Sequence, residues 1–333
     1  MPKPKIYASW VFEFTNQVER EKEMKTIMAL SAYLLLTVSV FGADRKVAEH
    51  LQDVSVTIKS ESDYSKSEGS GVLFIRKIGD EEVTFVWTAG HVVDNLRNVR
   101  TVIDSKGAPR KVVEFKDAQV VKELVEAGRR VGEIKMDARV IKYSNADDGH
   151  DLALLMVRSR GYGKSSTKFH LPSKDKIVPI GTDLYHVGSL RGQMGANSMT
   201  SGIVSQVGRT LDKYEYDQTT ATAFPGSSGG GIFLKSGEYV GMLVRGAGEN
   251  FNLFVPMRRM YKWAATNKIL WSIDPSVEAP KFSELVKMPI EAVGLGGDDD
   301  DDDDGDSKSF PFLILREARN SNIKSVLDRR PNK

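Results

Sequence analysis

Two adjacent serines stand among glycines in "FPGSSGGGIF", residues 224–233. A serine hydroxyl becomes a nucleophile when a base within hydrogen-bond reach takes its proton, and an acid that orients the base improves it further. Histidine suits that task near neutral pH, and the chain has five: His50, His91, His150, His170 and His186. His91 lies in "WTAGHVV", at the end of an apolar run, and Asp151 opens a second one, "DLALLMV". The order along the chain is thus His, Asp, Ser, with steps of 60 and 77 residues from His91 to Asp151 to Ser228. Those three residue types are the set needed for nucleophilic attack on an acyl group.

Gly226-Ser227-Ser228-Gly229-Gly230 also fits the G-x-S-x-G turn of α/β-hydrolases. That architecture places its histidine after the serine, and no histidine follows His186, so the reading fails. The remaining histidines show no ligand spacing. His150 adjoins Asp151, but neighbouring strand residues face opposite sides, which makes His150 a surface residue. His50, His170 and His186 take structural roles. No metal site or cofactor is expected. The aspartate run at 298–306 lacks the spaced ligands, glycine turn and distal glutamate of a calcium loop.

The elements that must carry these residues read as short β-strands broken by glycine and charged turns. Strand patterns occur at 53–60, 69–77, 82–93, 151–157, 199–208, 229–244 and 252–257, the sixth a hairpin turning at Ser236-Gly237. This is an all-β pattern of barrel or sandwich type, not alternating βαβ units. Two helices interrupt it. Residues 117–133 place Val120, Val121, Leu124 and Val125 on one helical face with Asp117 as N-cap. Residues 257–271 carry apolar residues at helical spacing and close the β region.

The 333 residues are 40% hydrophobic and 28% charged, a globular balance, and there is no cysteine, which excludes disulfides, a thiol nucleophile and thiolate zinc. Net charge is +2, but eight aspartates lie within 298–306, and without them the rest would stand near +10. The basic residues are scattered and form no nucleic-acid motif, so no nucleic-acid partner is expected. From Met24 the chain has a positive start at Lys25, an apolar stretch of 15 residues from Ile27 to Phe41, and small residues at Gly42-Ala43. That is a secretory signal pattern, too short to cross a bilayer comfortably. The expected organisation is a leader over 1–43 with its start at Met24, a catalytic domain over 44–275, and an acidic, mostly disordered tail over 276–333. The mature protein is expected in the periplasm or outside the cell without a stable membrane anchor, and tethered to the membrane if the leader stays uncleaved.

"TAGHVV", "DLALLMV", "TSGIVSQVGR" and "PGSSGGGIF" followed by "GEYVGM" together resemble the trypsin-like serine proteases, and most of all the bacterial HtrA/Deg branch. The resemblance covers about residues 50–270 and implies two six-stranded antiparallel β-barrels, to which the helical insertion and C-terminal helix are added. The long His91-to-Asp151 step looks like an insertion at the 117–133 helix. The resemblance makes His91 the general base and acid, Asp151 its orienting partner, and Ser228 the nucleophile, with the N–H groups of Gly226 and Ser228 as oxyanion donors. It places Thr222 and Ala223 at the base of the S1 pocket and Val244, Arg245 and Gly246 in its wall, a neutral pocket for small or medium apolar side chains. Ser227 stands where the family usually has Asp or Asn, and cannot form the ion pair that orders this loop after zymogen cleavage. The segment after 275 is too short and polar for a PDZ domain, so trimer assembly does not carry over. The implied function is an exported serine endopeptidase acting on polypeptides, including unfolded ones, in envelope quality control. The alternative is a chaperone-like, non-catalytic peptide-binding module on the same fold, and a viral polyprotein proteinase is the weakest option.

Overall fold

The computed structural model describes residues 45–103, 105, 107–126, 128–147, 149–172, 177–246 and 250–291. The expected leader and the aspartate run lie outside them. The chain divides into two units, Met1–Glu49 and His50–Lys333. Of the first, only the helical residues 45–49 are described.

In the second unit, six strands close a barrel. They are β1 (Ser55–Glu61), β2 (Lys66–Ile78), β3 (Glu81–Thr88), β6 (Ala118–Glu126), β7 (Arg129–Ser144) and β8 (Leu152–Val157), in the order β1-β2-β3-β8-β7-β6. Between β3 and β6, β4 (Arg97–Ile103) and β5 (Pro109–Phe115) form a separate two-stranded sheet. A second ring runs β13 (Gly231–Leu234), β10 (Asp183–Gly188), β11 (Ser198–Leu211), β12 (Tyr214–Thr219), β15 (Asn252–Pro256) and β14 (Glu238–Gly246). It closes because β13 also pairs with β14, and β9 (Lys168–Phe169) adds to β14 in parallel. Neighbours within both rings are antiparallel. The Ser236-Gly237 hairpin turn forms as expected, with Gly237 at φ 87.

Alternation fails in β3 because both of its faces are covered. Val86 is buried, and Phe85 and Trp87 on the opposite side meet Trp271 and Trp263 at ring distances of 5.0 and 5.8 Å. Those tryptophans come from the segment that follows the second ring. It begins with the expected C-terminal helix, Met257–Thr266, and continues in a 3-10 turn at Leu270–Ser272.

Two expectations are corrected. The 117–133 helix is instead β6 and the start of β7, joined by a turn in which Gly128 has φ 77. The valines that fit a helical stripe fit a strand better, because β-branched side chains favour extended backbone. Pairing decides it: Val121 and Val120 lie opposite Thr57 and Ile58 of β1, and successive residues from Val120 to Lys122 are buried. The long step from His91 to Asp151 is therefore filled by the β4–β5 ribbon and a long β6–β7 hairpin.

The domain also does not stop at 275. Residues Phe282–Leu285 form a short helix with Leu285 2% exposed, and the chain then runs beside β7. Tyr143 N donates to the Ile290 carbonyl at 2.8 Å, and Lys142 Nζ reaches the carbonyls of Pro289 and Glu291. Proline and charge made 276–291 read as tail, whereas its backbone carbonyls satisfy a buried lysine.

Candidate active site

His91 belongs to a four-residue helix, Gly90–Val93, that turns the chain at the end of β3. The preceding glycine has a steric reason. A Cβ on Gly90 would collide with the Ser144 carbonyl oxygen and lie 3.2 Å from Leu152 N, so only glycine lets this turn approach the start of β8. That approach brings His91 to Asp151. Its Nδ1 lies 3.0 Å from both carboxylate oxygens, and its backbone N–H donates to Oδ1 at 2.9 Å. An Nδ1–H donor leaves Nε2 as the acceptor, the tautomer a general base needs.

The pair tunes itself. Burial pushes the His91 imidazolium down, but the charge and hydrogen bond of Asp151 outweigh it and hold His91 above its ordinary value. Burial likewise pushes the Asp151 carboxyl up, yet the interactions with His91 win and hold it below the carboxylate range. Asp151 is 1% exposed, whereas the His91 side chain keeps 37% of its surface. The carboxylate is thus shielded and the imidazole reachable.

The two serines have different environments. Ser227 is buried, and its Oγ accepts the Phe224 N–H at 3.1 Å, which ties the loop across three residues. This local bond engages the Ser227 hydroxyl within its own loop. Ser228 is partly exposed. Its carbonyl accepts the Ser70 N–H at 2.7 Å, and the next amide, Gly229 N, donates to Leu243 O at 2.8 Å. A Cβ on Gly229 would collide with the Ser70 carbonyl and the Thr88 hydroxyl and lie 3.0 Å from Ala89 N. The loop therefore rests on the residues just ahead of His91. Among the described residues, no hydrogen bond joins the Ser228 hydroxyl to the His91 ring.

Further contacts fix the loop from behind. The Ser70 hydroxyl donates to the Gly226 carbonyl and accepts the Ser189 N–H, both at 2.7 Å. Arg191 N donates to the Pro225 carbonyl at 2.7 Å. Gly226 has φ 93, in the region that favours glycine. Among the described residues the N–H groups of Gly226 and Ser228 donate to no protein acceptor, so both remain available to a ligand oxygen.

The expected pocket residues lie as follows. Thr222 and Ala223 are half-buried, Val244 is buried, and Gly246 pairs with Asn252 across β14 and β15. Asn252 donates to the Ala221 carbonyl at 2.8 Å, tying the residue before Thr222 to β15. Thr222 Oγ1 lies 3.5 Å from Asn250 Oδ1, and its carbonyl accepts Thr200 Oγ1 at 2.8 Å. The Arg245 guanidinium turns away to Asp212 and the Ala146 carbonyl, both at 3.2 Å.

Other histidines stand elsewhere. His150 is 4% exposed, a correction to its surface assignment. It precedes β8 instead of lying in it, and Asp151 has φ 56, so strand alternation does not apply. Burial and the Arg259 charge push its pKa down to about 4. His186 is fully buried in β10, and His170 lies 3.8 Å from Glu238. Ser70, Asn252 and Arg259 carry no sequence signature and emerge only from the fold.

A family model described as a trypsin-like peptidase domain matches residues 69–242. One curated relative, the Serine protease Do-like HtrA of Lactobacillus helveticus, is 27% identical over 181 residues, 53% of this chain and 35% of that protein. The chain thus spans about a third of that relative's length. Among solved structures, the serine endoprotease from Yersinia pestis is 17% identical, with 68% of this chain and 66% of that one covered and a TM-score of 0.48. Deg5 is 19% identical, with 69% and 95% covered and a TM-score of 0.48.

Proposed function

This chain belongs to the trypsin-like peptidase family, and from that premise we propose that it is a serine endopeptidase acting through His91, Asp151 and Ser228. The observation that carries the reading is the His91–Asp151 couple beside a loop with two unspent N–H donors. In the proposed reaction Ser228 Oγ attacks the scissile carbonyl while His91 Nε2 takes the hydroxyl proton. The carbonyl oxygen becomes an oxyanion held by the Gly226 and Ser228 N–H groups, each such donor worth about 2.7–4 kcal/mol in the transition state. Asp151 stabilises the imidazolium throughout. Collapse of the intermediate breaks the C–N bond, and His91 returns the proton to the departing amine. Water, deprotonated by His91, then attacks the acyl-enzyme and releases the acid with Ser228 restored.

Thr222 and Ala223 at the pocket floor carry no charge, which supports small or medium apolar side chains at P1. The Met24–Ala43 pattern supports export, to the periplasm or beyond, and with it a role in envelope protein quality control on polypeptide substrates.

One observation favours a second reading, a module that holds peptides without cutting them: the Ser228 hydroxyl is not hydrogen-bonded to His91. Such bonds commonly tighten only when substrate is bound, so the peptidase reading stands first. A fluorophosphonate probe with peptide mass spectrometry separates the two. The expected result is a label on Ser228 that disappears in Ser228→Ala and weakens in His91→Ala. A folded protein that takes no label and does not cleave casein on warming would be a binding module. A label on Ser227 would overturn the choice of serine.

A further inference from the structure

Asp151 keeps a left-handed backbone, φ 56, which costs a non-glycine residue about 1–2 kcal/mol. Its own loop supplies part of the support: Asp151 N donates to Asn145 O at 2.8 Å, and His150 N donates to Ser144 Oγ at 2.7 Å. The rest comes from the second ring and the helix that follows it. Arg245, in β14, donates from Nη2 to the Ala146 carbonyl at 3.2 Å. Arg259, in the helix Met257–Thr266, donates from Nη2 to the His150 carbonyl at 2.9 Å and from Nε to His150 Nδ1 at 3.4 Å. The carbonyl that Arg259 grips belongs to the peptide that leads into Asp151.

The two arginines share a support. Both guanidiniums lie over the buried Tyr216 ring, Arg245 at 5.5 Å and Arg259 at 4.5 Å. Arg259 also lies over Tyr214 at 4.7 Å and donates to the Glu215 carbonyl at 3.1 Å. Arg259 is 7% exposed, and among the described residues it forms no ion pair with a carboxylate. Burying a cation without a counter-ion costs several kcal/mol, only partly offset by carbonyl acceptors and aromatic faces.

We infer that Arg245 and Arg259 are positioning residues, a clasp from β14 and the helix after it that holds the Ala146 and His150 carbonyls so that the Asp151 carboxylate stays aimed at His91. The inference rests on the proposed roles of His91, Asp151 and Ser228. It explains why a buried arginine without a counter-ion sits one residue from the orienting acid. It also gives the strand that lines the S1 wall a second task. The Arg245 charge favours ionised Asp151 and opposes the His91 imidazolium, while Asp151 and Asp94 favour the imidazolium.

The test uses the full chain and the variants Arg245→Gln, Arg259→Met and Arg259→Lys. The readouts are kcat and KM on a peptide substrate, the pH profile of kcat/KM, and the His91 ring titration by NMR. A small misplacement of a catalytic group costs up to about 100-fold, so Arg259→Met should lose about 10–100-fold in kcat with KM little changed. Arg259→Lys, which restores a cation and one donor, should recover part of that loss. In Arg245→Gln the acid limb of kcat/KM and the His91 midpoint should both move to higher pH. Unchanged kcat in a folded Arg259→Met, a loss confined to KM, or an unmoved His91 midpoint in Arg245→Gln would each overturn the clasp. Arg245 is partly exposed, so its variant folds even where Arg259→Met does not. The NMR titration needs no turnover. It therefore decides on the clasp even if wild-type protein takes no fluorophosphonate label and the peptidase reading falls.

Discussion

Acid should unfold this domain through a histidine that takes no part in the chemistry. His186 is 0% exposed in β10, directly beneath the nucleophile loop. Its Nδ1–H donates to the Gly231 carbonyl at 3.1 Å, and a Cβ on Gly230 would lie 2.6 Å from its Cε1. Nε2 has no partner, so a proton placed there would be a buried, unpaired charge. Burial accordingly pushes His186 down from 6.5 to about 4, and the bond to Gly231 only partly opposes this. Between those values the unfolded chain binds a proton that the native chain refuses. Stability from this residue is fully present above the unfolded value and is lost as pH falls toward 4. At about 1.4 kcal/mol per pH unit, the loss reaches about 3 kcal/mol, a large fraction of a typical domain's stability. His150, with a similar depression, adds in the same direction. His91 does not offset the loss, because its raised value leaves it protonated in both states through this window. Its contribution is present below 6.5 and lost as pH rises through its folded value. The assay is urea denaturation at several values from about pH 7 to pH 4.5, on a Ser228→Ala background to prevent self-digestion, with and without His186→Gln. The variant should lose about 2–3 kcal/mol less than its parent across that span. If parent and variant lose the same amount, the buried neutral histidine is not the cause and the reasoning fails.

Two further outcomes follow from steric and polar contacts. Gly229→Ala should abolish fluorophosphonate labelling while the barrels stay folded, because the new Cβ meets the Ser70 carbonyl and Thr88 hydroxyl and Gly229 has φ 87; normal labelling would show that the loop's seat is unimportant. Ending the chain at 275 strips Lys142, 3% exposed, of its carbonyl acceptors and removes Leu285, which is buried in the intact domain. Urea melts should then show a loss of about 3–5 kcal/mol relative to a chain ending at 291, and equal midpoints would count against the docking of 276–291.

The parts of this protein legible in the sequence are those set by neighbouring residues. "TAGHVV" and "PGSSGGG" announce themselves because the turns that seat His91 and Ser228 need glycine within one or two positions. The strands ahead of β4 and the Ser236-Gly237 hairpin are readable for the same reason. The 117–133 segment was not, because its valines are compatible with helix or strand and only pairing with β1, some 60 residues away, selects the strand. Treating His150 as the strand neighbour of Asp151 missed the left-handed residue that ends the alternation. Arg259 is buried against two tyrosines, and no local pattern tells which arginine will be. The 276–291 segment shows the same limit, since its value to the fold lies in backbone carbonyls, which composition does not reveal.

The contacts between the barrels suggest why this geometry holds with no disulfide between them. His91 and Asp151 come from the first ring and Ser228 from the second, so a slide of one ring on the other would separate the proposed base from the proposed nucleophile. Apolar contact alone resists separation better than sliding, because it is non-directional. Around the loop the join is made of buried hydroxyls instead. Thr57 and Ser189 share a hydrogen bond of 2.5 Å across the rings, and Ser70 takes the Ser189 N–H while donating to Gly226 O. Each is directional and shielded from water, and a slide would leave several polar groups buried and unpaired at about 1–3 kcal/mol apiece. Small hydroxyl side chains also let the backbones come close enough for Ser70 N to reach Ser228 O. The bonds that keep the rings in register are therefore the same ones that hold the Gly226–Gly230 loop against the first ring, from which His91 comes.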